Sequence, residues 1–176
     1  MACLPPRLLA VLVAVWSVLA VAGRSEAAVC GTDATANPII FGCSPFVQTC
    51  TITGGSAPAG CELDFGNRKV VFTGTFDVSN GTANASALVV RAGQIEVRGA
   101  LKARSDSNRR GGSIRLFAND GILVSGTIDV SGNSAGLMRL QAGGSVDLTT
   151  SGILRARGIE STSTGNSASG GAIEVV

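Results

Sequence analysis

The sequence predicts an all-β fold: a parallel β-helix, or solenoid, with coils of about 25 residues and three short strands per coil. Three observations carry this. First, a Gly-led segment recurs as Gly74-Thr-Phe-Asp-Val78, Gly99-Ala-Leu-Lys-Ala103, Gly126-Thr-Ile-Asp-Val130 and Gly152-Ile-Leu-Arg-Ala156, its glycines 25, 27 and 26 residues apart. Second, apolar residues alternate within each copy, the pattern of a strand with one face turned inward. Third, 24 glycines with only 4% aromatic residues suit neither a helical domain nor, given the β-branched content, a disordered linker.

The chain opens with an export signal. Met1–Arg7 carries one positive charge, Leu8–Ala22 is almost wholly apolar, and Ser25-Glu26-Ala27 offers small residues for cleavage after Ala27. Residues 1–27 are therefore read as a signal peptide. An uncleaved anchor is the alternative, but the apolar run is short of the roughly 20 residues that span a bilayer. Val29 before Cys30 argues against a lipoprotein signal, and no later run is apolar enough to cross a membrane.

Residues 28–62 form a cysteine-rich stretch containing Cys30, Cys43, Cys50 and Cys61. Four cysteines in an exported chain suggest two disulfides with three possible connectivities. The alternative is zinc, but no C-x-x-C pair and no histidine are present. A stretch this small cannot build its own core, so it is expected to be a cross-linked cap at the start of the coils.

Residues 63–176 are expected to be the coils. Before each Gly-led segment lies another alternating pair: Val70 and Phe72, Ile95 and Val97, Ile122 and Val124, Val146 and Leu148. The last unit carries an extra residue before Gly152, expected as a bulge. Farther upstream, Leu88-Val-Val90, Ile114-Arg-Leu116 and Met138-Arg-Leu140 match, and Ile173-Glu-Val175 begins another copy. One such unit cannot bury its apolar face alone, whereas stacking makes each row continuous. The expected inner stacks are Leu88, Ile114, Met138 and Ile173 on one wall, and Phe76, Leu101, Ile128 and Leu154 on another. A sandwich or propeller would need antiparallel hairpins and would not make every third strand equivalent. The chain stops within a strand-like segment, so the coils are expected to continue beyond it or to be covered by another subunit.

Two features of the repeat are candidate sites. The third residue after each repeat glycine is Asp77, Lys102, Asp129 and Arg155, an alternating charge ladder if the coils stack. The connections after the Gly-led strands vary most and fall on one edge, where Arg109 and Arg110 are the paired charges available to an acidic glycan. Such an edge is often a binding face, and more often simple loop variation.

Catalytic chemistry is sparse. The chain has no histidine and no tyrosine, which removes histidine triads and histidine–metal sites. Asp77 and Asp129 would sit ~10 Å apart with Lys102 between them, wide for a carboxylate pair. Asn119-Asp120-Gly121 is a turn signal before a strand. No catalytic residue, cofactor or metal is expected. Beyond the signal the chain keeps 12 basic and 11 acidic residues, so nothing points to nucleic acid or an anionic membrane.

Gly126-Thr-Ile-Asp-Val-Ser-Gly132 and Gly111-Gly-Ser-Ile-Arg-Leu116 resemble the coils of large bacterial exoproteins of the filamentous haemagglutinin type, over about Val70 to Val176. The family's Asn-Pro-Asn-Leu motif is not in this sequence. The resemblance implies a right-handed β-helix, secreted or on the cell surface, that contacts host or self glycans or proteins as an adhesin-like scaffold. The N-terminal portion of a secreted polysaccharide-active β-helix enzyme, or a glycan-binding module using the variable edge, are the alternatives.

Overall fold

Every strand pairing among the described residues is parallel, and each joins segments one coil apart in the sequence. The computed structural model describes residues 41, 43, 46–57, 60–79, 85–106, 108–159 and 168–176. The strands are β1 (Thr49–Ile52), β2 (Gly55–Ser56), β3 (Cys61–Asp64), β4 (Lys69–Phe72), β5 (Thr75–Asp77), β6 (Ala87–Val97), β7 (Ala100–Lys102), β8 (Ser113–Val124), β9 (Thr127–Asp129), β10 (Leu137–Ala142), β11 (Val146–Leu148), β12 (Ile153–Arg155) and β13 (Ala172–Val175). The fold is a β-solenoid, with no helix among the described residues. Parallel pairing excludes the hairpin-built sandwich and propeller.

The strands stack into three walls. The first holds β3, the start of β6, the start of β8, β10 and β13. The second holds β1, β4, the ends of β6 and β8, and β11. The third holds β2, β5, β7, β9 and β12. β1 and β2 lie in the cysteine-rich stretch, yet they already stack on β4 and β5.

Both expected inner stacks are in register: Leu88, Ile114, Met138 and Ile173 pair in turn, as do Phe76, Leu101, Ile128 and Leu154. All but Ile173 share one apolar core with the second-wall pairs from Val70 and Phe72 to Ile122 and Val124, Leu154 being partly buried against it; Ile173, expected inside, is exposed because no described strand stacks beyond β13. Each fully buried Leu, Ile or Phe contributes about 1.5–3 kcal/mol of transfer free energy. Phe41, Phe65, Phe72 and Phe76 fill the N-terminal end of this core, their contacting ring centroids 5.7–6.1 Å apart. Cys43 and Cys50 are disulfide-bonded there, with Cα atoms 5.4 Å apart. Cys61 is also disulfide-bonded. Cys30, like residues 1–27, lies outside the described residues.

Two local expectations are corrected. Asn119-Asp120-Gly121 does not turn but runs within β8, and β6 likewise continues through its corner with a register shift between Ala92 and Gln94. Neighbouring coils hold this backbone by hydrogen bonds: Gly143 N–H donates to Ala118 O at 3.1 Å and Gly144 N–H to Asp120 O at 2.5 Å. Coil stacking thus overrides the local turn preference, and a bulge absorbs the extra residue. Before Gly152 the chain forms a turn rather than a bulge, with Gly152 N–H donating to Thr149 O at 3.0 Å.

The corner from the second to the third wall explains the repeat glycines. Gly74 O accepts from Ala100 N–H at 2.9 Å, Gly99 O from Thr127 N–H at 2.8 Å and Gly126 O from Ile153 N–H at 2.8 Å. A Cβ on Gly99 would come within 3.0 Å of Gly74 O, and one on Gly126 within 3.0 Å of Gly99 O. The missing side chain therefore lets backbone lie on backbone. Gly54 occupies the same corner in the first coil, beside Thr75 O.

On the second wall Glu96 is buried, in register between Val71 and Leu123. Its carboxylate takes Lys69 Nζ at 2.8 Å and Arg98 Nε at 2.6 Å. The hydrogen bonds from Arg98 and then Lys69 hold its pKa below the ordinary 4.5, against the opposing effect of burial.

Two outcomes follow in thermal and chemical denaturation. Gly126→Ala should destabilise by about 1–3 kcal/mol or more through overlap with the Gly99 carbonyl. Gly121→Ala, whose Cβ would meet only Ser145 O at 3.3 Å, should stay within about 1 kcal/mol of the parent. Equal losses would contradict the stacked corner. Glu96→Gln should cost about 1–3 kcal/mol at neutral pH. Because the folded pKa is depressed, charged Glu96 stabilises fully above its ordinary 4.5, and that stability is lost as pH falls through the lower folded value. The gap between parent and variant should close in acid; a gap constant with pH would refute the assignment.

Candidate binding surfaces

The register aligns Asp77, Lys102, Asp129 and Arg155 in one column on the third wall. Among the described residues none of the four closes an ion pair within 4.0 Å; the ion pairs involve other residues. The aspartates instead shape the chain where it leaves the wall. Asp77 Oδ1 accepts from Ser79 N–H at 2.7 Å, and Asp129 Oδ1 from Ser131 N–H at 2.9 Å. Each serine hydroxyl then receives a backbone N–H from the next coil, Arg104 to Ser79 at 2.9 Å and Arg157 to Ser131 at 3.3 Å. Asp-x-Ser thus marks a repeat of two coils, and these carboxylates serve as turn caps.

All variable connections leave from this same side: residues 57–60, 78–86, 103–112, 130–136 and 156–171 each link the third wall to the first. The 103–112 connection is fastened at its base. Ser105, itself buried, donates through Oγ to Arg109 O at 2.6 Å, and Arg109 O also accepts from Asn133 N–H at 2.7 Å. The Arg109 guanidinium lies 3.6 Å from Asp106, and Arg110 O accepts from Ala85 N–H at 3.0 Å. The two arginines are thus engaged within and between coils.

A different surface emerges on the opposite side, at the corner between the first and second walls. The outward column of the first wall is Asp64, Arg91, Phe117 and Gln141, each in register with the next. The Arg91 guanidinium carbon lies 4.5 Å from the Phe117 ring centroid, and its Nε is 2.5 Å from Glu62 Oε1. Beside this column Asn119 Nδ2 donates to Asn67 Oδ1 at 3.0 Å, joining residues 52 apart in the sequence. Gly93 makes that reach possible, because a Cβ there would meet the Asn67 backbone within 3.0 Å.

Two depressions open along this corner. One, of about 260 Å³, is lined by Asp64, Asn67, Arg91, Phe117 and Asn119; the other, of about 380 Å³, by Arg91, Phe117, Asn119 and Gln141. They share the Arg91–Phe117–Asn119 ridge. The lining offers a carboxylate, three planar amides and one aromatic ring. Among the described residues no group of His, Cys, Asp and Glu could hold a metal ion.

Sequence reasoning passed over this surface because it sought charge and loop variation. A usable signal was present: Phe117 is an aromatic residue at an outward phase of the repeat, and Asn67 and Asn119 recur at twice the coil period. No family model matches the chain, and neither does any curated protein or solved structure.

Proposed function

We propose that this chain is an exported, non-catalytic β-solenoid scaffold of the cell surface or extracellular space, adhesin-like in that it holds variable loops along one edge. The observation that carries the reading is the division between constant and variable corners. The second-to-third-wall corner keeps two residues in four coils, 53–54, 73–74, 98–99 and 125–126, and lengthens only to 149–152 in the last, whereas the third-to-first connections run from 57–60 to 156–171. A rigid stack whose long connections all lie on one edge suits presentation rather than turnover. The carboxylates on the third wall are used as caps, which supports the non-catalytic reading.

Export is supported by the charged, apolar and small-residue sequence of residues 1–27 and by the Cys43–Cys50 disulfide, since such bonds persist in oxidising compartments. Among the described residues no helix is long and apolar enough to cross a membrane. At the other end β13 leaves Ile173, Val175 and Val176 exposed, with Leu148 and Ile153 near that end. This is an apolar, unpaired edge on which another parallel strand layer could stack.

Expression of the whole chain in a secretory host should release a product whose first residue is Ala28, read by N-terminal sequencing, with Cys43–Cys50 recovered as a cross-linked peptide before reduction. A product retained inside the cell with Met1 intact would overturn the export reading.

A further inference from the structure

We propose that the corner between the first and second walls binds a neutral saccharide chain, with Phe117 as the ridge between two adjacent sugar subsites. This inference does not rest on export or on the variable edge; the site faces away from the loops.

The chemistry of the lining selects the ligand. Asn67, Asn119 and Gln141 present planar amides, each both donor and acceptor, which match the paired hydroxyls of a sugar ring. The Asn119–Asn67 hydrogen bond at 3.0 Å fixes two of them in place before any ligand arrives. Arg91 covers one face of Phe117 at 4.5 Å, and the rest of the half-buried ring supplies an apolar surface for the C–H face of a sugar. Phe117 is the aromatic residue in the outward column of the first wall.

Charge argues against an anion. Arg91 is the cation of the lining, and Glu62 at 2.5 Å and the Phe117 ring at 4.5 Å already hold it. Asp64 adds a carboxylate to the first depression, repelling acidic sugars while accepting hydrogen bonds from hydroxyls. A neutral ligand satisfies both groups.

The spacing also fits a chain rather than a single sugar. The depressions are offset by one coil, the first reaching from Asp64 to Phe117 and the second from Arg91 to Gln141. One coil advances ~4.8 Å along the solenoid axis, close to the length of one sugar ring. An extended oligosaccharide lying along the axis would therefore place successive rings in successive depressions. The glycines bring the coils together here: side chains at Gly93 and Gly143 would strike the Asn67 and Asn119 backbones, so Asn67, Asn119 and Gln141 stay on closely stacked rungs.

The test is calorimetric titration of the purified chain with cellohexaose, mannohexaose and hexagalacturonate. At least one neutral hexamer should bind. Phe117→Ala should weaken it about tenfold or more and Asn119→Ala about threefold or more, while Arg104→Ala, exposed on the far edge, should leave it unchanged. Asn119 is exposed, so its variant keeps the test valid if Phe117→Ala perturbs folding, which melting curves report. Failure of both neutral hexamers to bind, binding of hexagalacturonate alone, or affinity unmoved by both variants would overturn the proposal. The export experiment is independent, so the two readings can fail separately.

Discussion

The whole architecture depends on backbone lying directly on backbone at the glycine corner between the second and third walls. There the carbonyl of one repeat glycine accepts the N–H that follows the glycine of the next coil, with no side chain between them. This contact sets the rung spacing and aligns the three walls. The inward rows then become continuous apolar columns, and the outward rows become columns of defined chemistry. Hydrophobic burial supplies the driving force, but it is the close corner that specifies which residue sits above which.

Register turns a repeat into a surface. On the third wall it puts aspartates at the exits of alternate coils, where their side chains cap turns and the following serines bind the next coil. On the first wall it gathers Asp64, Arg91, Phe117 and Gln141 from four coils into one line. The longest connections lie on one side, while at the opposite corner Arg91, Phe117, Asn119 and Gln141 sit on strands and Asn67 on a short turn hydrogen-bonded to Asn119. Groups held in this way are more precisely preorganised than those on a long loop.

Much of the fold was legible because its signal is periodic. The glycine spacing and the alternation of Phe76, Leu101, Ile128 and Leu154 located the third wall. The Leu88 row located the first in the same way. Gly54 escaped notice because its coil is short. Asn119-Asp120-Gly121 misled because local turn preference says nothing of the hydrogen bonds that neighbouring coils offer. The charge column was legible as a column, but the task of its aspartates depends on geometry two residues downstream. The corner surface was the least legible. It requires knowing that Gly93 lets its coil close onto the Asn67 backbone so that Asn67 and Asn119 meet, a relation across two coils that no local window contains.

The stacking can be tested most directly by cross-linking across the third wall. Ala100 and Thr127 are in register on adjacent coils, so their Cα atoms should lie ~4.8 Å apart, within disulfide reach. Thr75 and Thr127 are separated by the intervening coil. Oxidation of the Ala100→Cys, Thr127→Cys chain should form an intramolecular disulfide, and the Thr75→Cys, Thr127→Cys chain should not. A cross-link in the second chain and none in the first would mean that the coils are not stacked in this order.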